Sequence, residues 1–167
     1  MDALRRLHSA AEVLLPPDST VAAVTEQLQG AGLAHLACHG ILRMDNPMFS
    51  ALQLCDGQLT VHELAARGIA PHQMVLAACD SGVGVEYEGN EMLGFVSALF
   101  AGGTAGLVAS TLVVPDLDTV PLMCALHQHL LAGATLAQAL HLARATLNRD
   151  EPSGFVNWCA WNAFGAA

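Results

Sequence analysis

His39-Gly40 and Cys79-Asp80-Ser81-Gly82 each close a short apolar run, LAHLAC in the first case and MVLAA in the second. A thiol and an imidazole are the two halves of a nucleophile: the thiolate attacks a carbonyl carbon, and the imidazole stabilises it as an ion pair or takes its proton. A continuous apolar run of this length reads as a buried parallel strand, and ligands in open α/β sheets collect just beyond the carboxyl ends of the strands. Neighbouring strands lie about 4.8 Å apart, so side chains projecting from two adjacent tips come within hydrogen-bonding reach. The spacing therefore predicts a Cys79/His39 pair.

The flanking residues fit the same chemistry. Gly82 and Gly84 let the loop after Cys79 turn backbone N–H groups toward a substrate, and Gly40 lets the backbone beside His39 approach a developing oxyanion. Gly40 also reads simply as a turn glycine. The expected oxyanion donors are the backbone N–H groups of Gly40 and Cys79. A lone cysteine at a strand end reads first as a small buried apolar residue; the His-Gly at a second strand tip reverses that reading. Asp80, Glu86, Glu88 and Glu91 form an acidic loop, and its simplest role is solvation. A functional version uses Asp80, or Asp116 after the next strand, to bind a basic substrate side chain. Asp116 also reads as the cap of the following helix.

Cys38 and His39, with His35 nearby, are candidate metal ligands by type only. Adjacent strand residues face opposite sides, and no carboxylate or second cysteine stands at zinc-site spacing, so no metal and no organic cofactor is expected. His8, His62, His72, His127, His129 and His141 read as helix-surface or partly buried residues and receive no role.

Composition bounds the rest. Six basic against fifteen acidic residues give a net charge of −9, which disfavours nucleic acid and anionic lipid as partners. With 53% hydrophobic and 13% charged residues, either the interior is large or apolar surface meets a partner. Five cysteines with no C-x-x-C spacing suit a reducing compartment. No charge stands between Glu91 and Asp116, but Gly102-Gly103-Thr104 divides that span into a helix-length and a strand-length half. With no signal peptide in view, a soluble cytoplasmic protein is expected.

The elements that must position these residues alternate in type. Leu4, Leu7, Ala11, Leu14 and Leu15 predict a first helix stopped by Pro16-Pro17. Asp18 or Ser19 then caps a second helix with Val21, Val24 and Leu28 on one face and Gly30 or Gly32 beyond its end. LAHLAC follows as a strand, then a loop from His39 to Phe49, a short strand ALQL closed by Asp56-Gly57, and a capping box Thr60-Val61-His62-Glu63 opening a helix that ends at Gly68. Strand MVLAAC, a helix over 92–101, a strand over 105–110, helices over 118–132 and 135–148, and a last strand in WCAWNAF complete the chain. Alternating strands and helices predict an α/β fold with a mainly parallel sheet and right-handed crossovers. The helical start and the few long strands suggest that strands are missing at the front, so that the chain is one domain, residues 1–167, forming the carboxyl portion of a longer protein.

Taken in order, AHLACHG, NPMFSALQLCDGQLTVHEL, LAACDSG, GNEMLGFVSALFAGGTAGLVAS, Asp116 with Thr119 before LM, and the tryptophan-containing end resemble the CHAT domain from about residue 20 onward. This caspase-like domain occurs at the carboxyl end of many bacterial proteins with tetratricopeptide repeats. The resemblance implies a caspase-hemoglobinase fold, a three-layer sandwich with helices flanking the sheet, and cysteine endopeptidase activity on a protein substrate, with the family's histidine at His39 and its nucleophile at Cys79. The interval between them is close to the roughly 50 residues of caspase-type pairs. A tryptophan common in the family after the third long strand is replaced around Leu112. No tetratricopeptide repeats are visible here. The implied partners are a peptide or protein substrate and an attached or separate regulatory sensor, with a missing amino-terminal segment or a second copy covering an exposed sheet edge. The alternative expectation is a non-catalytic regulatory or scaffolding module of the same fold.

Overall fold

The computed structural model describes residues 2–41, 43, 45–77, 96–97, 99–112, 114 and 116–165. In chain order these form α1 (Asp2–Leu7), α2 (Val21–Leu28), β1 (Leu33–Leu36), β2 (His39–Ile41), a 3-10 turn (Pro47–Phe49), β3 (Ala51–Gln53), β4 (Gln58–Thr60), α3 (Val61–Arg67) and β5 (Gln73–Leu76). Helical residues at 96–97 and 99–102 are called α4. Then come β6 (Gly106–Ser110), α5 (Asp116–Leu131), α6 (Leu136–Arg144), α7 (Pro152–Ala160) and β7 (Trp161–Gly165).

The main sheet has the order β1-β5-β6-β7, with β1, β5 and β6 parallel and β7 antiparallel to β6. Both faces are covered, as the continuous apolar strands require. Met74, Leu76, Leu107 and Ala109 face one layer, built from α2, α3, α4 and the β3–β4 hairpin. Val75 and Val108, the alternate residues, face the other, built from α5, α6, Ala160 and Trp161. The expected mainly parallel α/β sheet flanked by helices is therefore present. A second, antiparallel sheet of order β2-β3-β4 stands beside it.

Local chemistry set several boundaries as the sequence implies. Thr60 Oγ1 accepts from Glu63 N–H while the Glu63 carboxylate accepts from Thr60 N–H, a complete capping box, and α3 ends at Gly68 in the left-handed region with φ +64°. A second box, Thr135 with Gln138, opens α6. Gly103, at φ +110°, turns the chain from α4 toward β6, so the uncharged stretch is helix, turn and strand where it is described. No helix among the described residues is long and apolar enough to cross a membrane.

Four expectations are corrected. The first helix ends at Leu7, not near Leu15: His8 turns inward to hydrogen-bond with His127, and Leu14 packs on the α2 layer. Thr20, not Asp18 or Ser19, caps α2, because the Asp18 and Ser19 N–H groups both donate to Leu15 O in the preceding turn, leaving Thr20 Oγ1 to accept from Ala23 N–H. LAHLAC is a strand only to Leu36, and His39 opens β2 in the other sheet. In WCAWNAF, Trp158 to Ala160 end α7, a helix with Pro152 in its first turn, and the last strand starts at Trp161. There the buried Asn157 accepts from both Thr119 Oγ1–H and Trp161 Nε1–H, fixing the helix-to-strand corner.

Candidate active site

Parallel pairing of β1 with β5 brings Leu36 opposite Leu76, and the Ala77 N–H donates to Leu36 O at 2.8 Å. The two strand tips singled out in the sequence are thus neighbours on one edge of the sheet. His39 lies three positions beyond Leu36 and Cys79 three beyond Leu76 in the chain. Cys79 and Asp80, and with them the glycines of the cysteine loop, lie outside the described residues.

The described half of the pair is His39. It is exposed, while Cys38 beside it packs against the α2 layer, so the chain presents the imidazole to solvent and turns the thiol inward. Burial pushes the Cys38 thiol up to about 11, which leaves it protonated and unreactive at neutral pH. Of the two strand-tip cysteines, Cys38 is therefore no nucleophile. His39 is held in register by the hairpin sheet, opposite Gln53, and Gly40 is buried opposite Leu52. The hairpin is fixed in turn by Asp56, whose carboxylate accepts from Val21 N–H at 2.7 Å.

Asp116 is the first residue of α5, at the end of the connection from β6; its side chain lies outside the described residues. In that connection Thr111 is tied down, its N–H and Oγ1–H both donating to Ala160 O, and Ser110 Oγ–H donates to Leu112 O. The result is a corner that leaves Leu112 exposed at the carboxyl end of β6, where the family resemblance leads one to expect a tryptophan.

A groove of about 810 Å³ runs along β1 between that strand and residues 10–16, and its lining includes Cys38, His39, Leu54 and Cys55. Gln73 N–H donates to Gly32 O and Ala77 N–H to Leu36 O, so the alternate residues Leu33 and His35 turn their backbone groups away from β5 and toward the groove. At the floor of the groove is an arrangement that the sequence reading does not contain. His127 Nδ1 lies 2.8 Å from His8 Nε2, and His127 Nε2 lies 2.8 Å from His35 Nδ1. The available signal was a histidine within the apolar face Met123, Leu126, Leu130 of α5 and another inside an apolar strand; neither shows which other histidine it meets. Among the described residues, no group of three or more His, Cys, Asp or Glu side chains converges as metal ligands.

The family model described as the CHAT domain matches residues 1–166, and the chain belongs to that family. Membership implies a caspase-like fold, in agreement with the parallel sheet and its two helical layers. No curated protein matches the chain.

Proposed function

We propose that this CHAT-domain chain is a caspase-like cysteine endopeptidase in which Cys79 is the nucleophile and His39 the general acid and base. The observation that carries the reading is the pairing of Leu36 with Leu76 in neighbouring parallel strands, from which the two residues stand at equal distances along the chain. Exposure of the imidazole and the inert state of the only competing strand-tip thiol support it.

In this reading the Cys79 thiolate adds to the scissile carbonyl carbon, and the oxygen takes the negative charge opposite backbone N–H groups of Gly40 and Cys79. Collapse of the adduct breaks the C–N bond, and the leaving amine takes a proton from the His39 imidazolium. Water, deprotonated by the now neutral His39, then hydrolyses the thioester and frees the thiol. Asp80 and Asp116 serve to hold a basic side chain of the substrate. The domain works in a reducing, cytoplasmic setting under the control of an attached or partner sensor.

Labelling with a peptidyl electrophile tests this reading. Wild type is expected to form one covalent adduct, at Cys79, and Cys79→Ala none at comparable rate. Labelling that persists in Cys79→Ala, or the absence of a Cys79 adduct in a preparation supplied with its regulatory partner, favours the non-catalytic scaffolding module instead.

A further inference from the structure

His8, His127 and His35 come from three separate parts of the fold. His8 closes the last turn of α1 through its N–H to Leu4 O, His127 belongs to α5, and His35 to the edge strand β1. Their rings meet in series, with His8 and His127 edge to face at 4.9 Å and His127 and His35 tilted at 5.0 Å between centroids. His127, in the middle, is only 2% exposed. The chain of imidazoles is a polar link by which the segment after α1 is held over β1, and the groove lies between them.

Proton counting decides what such a link can do. With all three rings neutral, each N···N contact has one N–H and one lone pair, and His127 donates in one direction and accepts in the other. One added proton keeps both hydrogen bonds but leaves a cation in an apolar site. A second proton on the other terminal ring sets two N–H groups against each other and breaks a bond. Among the described residues no carboxylate acts against this. Burial first, and then the His127 charge, hold His35 down at about 3, and burial followed by the His8 charge holds His127 down at about 4. The amino terminus and His8 add to the effect at His35. The other charged or titratable groups around the groove are Arg5 of α1, Glu12 of the covering segment, Cys38 and His39 beyond β1, and Cys55 of the hairpin. On α5, Cys124 lies one turn from His127. β5 brings none.

We propose that the three imidazoles form an acid-sensitive clasp that keeps the segment after α1 closed over β1, the edge strand among the described residues, and that their protonation opens the groove leading to His39. Charging is favourable only once the rings reach water, so each proton taken up drives opening. The effect is steep in the mildly acidic range. A ring held at about 4 when closed and near 6.5 when solvated shifts the opening equilibrium by roughly thirtyfold between about pH 7.5 and about pH 5.

Hydrogen–deuterium exchange on the full chain, corrected for the chemical rate at each pH, reads the opening and does not depend on peptidase activity. In wild type the amides of residues 2–15 are expected to exchange roughly thirtyfold faster, or more, at about pH 5 than at about pH 7.5, while those of α6, which need global unfolding, remain slower than residues 2–15 at both pH values. His127→Leu removes the central ring without leaving a polar group, and the pH response of residues 2–15 is expected to disappear. His8→Gln and His35→Asn each keep a hydrogen-bonding atom near the replaced ring nitrogen but cannot charge, and each is expected to shrink the response. Unchanged exchange of residues 2–15 in wild type overturns the proposal. So does a full wild-type response in His127→Leu or, should that variant not fold, in both conservative variants. Exchange of residues 2–15 at the same rate as α6 at both pH values also overturns it, since their opening is then global unfolding.

Discussion

Leu36 and Leu76 face each other across two adjacent parallel strands, and the backbone bond from Ala77 N–H to Leu36 O continues the ladder one residue further. From these paired leucines the chain runs three positions on to His39 and three positions on to Cys79, the latter outside the described residues. The rest of the scaffold reinforces the arrangement, because Cys38 is drawn into the α2 layer and leaves the imidazole as the outward group.

If His39 and Cys79 act as one unit, their losses do not add. Cys79→Ala and His39→Ala are each expected to reduce peptide hydrolysis by roughly three orders of magnitude or more, and the double variant by about as much as either alone. Steady-state hydrolysis, in a preparation where wild type is active, measures all three. Near-wild-type turnover in either single variant removes the assignment.

A basic residue before the cleaved bond is the expected preference, from the −9 net charge and from the proposed role of Asp80 and Asp116. A peptide library profiled at that position gives the answer directly, with Asp116→Asn expected to weaken the preference for Arg and Lys. Equal or better cleavage after acidic residues contradicts it.

Asn157 is the polar hinge between α7 and β7, accepting from Trp161 Nε1–H and Thr119 Oγ1–H and donating from Nδ2 to Ser153 O. Replacing it by Leu leaves the fully buried indole N–H of Trp161 without that acceptor, at an expected cost of about 1 to 3 kcal/mol. Urea unfolding compares the midpoints. A midpoint equal to wild type at an unchanged slope shows that the corner does not depend on the amide.

Global stability should fall on the acid side of neutrality. His35 and His127 are held below the ordinary imidazole value of 6.5, at about 3 and about 4, so the unfolded chain binds protons there that the folded chain refuses. The contribution is complete above about pH 6.5 and is lost as the pH falls from there toward the folded values. By about pH 5 the loss is roughly 2 kcal/mol for each of the two rings. Urea midpoints across that window measure it, and His127→Leu should flatten the profile. A midpoint that rises toward pH 5 contradicts the assignment.

What the sequence determined by itself is what short-range chemistry determines. The capping box of Thr60 and Glu63 and the turns at Gly68 and Gly103 depend on residues within a few positions of one another. The apolar runs around Val75 and Val108 carry a strand signal in their own composition. The neighbouring tips of β1 and β5, from which the chain runs on toward His39 and Cys79, were legible in the same way, since a chemically capable residue after such a run needs no distant partner to be noticed. Tertiary structure decided everything that depends on who meets whom. Only the sheet order makes β1 and β5 neighbours, and only pairing with β3 places His39 in a second sheet. Nothing in a helical period says that His8 will end α1 early by reaching a histidine 119 residues away, or that His127 will bridge it to His35. Such contacts form because burial leaves an imidazole no water to bond with, so it must find a protein partner, and the fold alone selects which one.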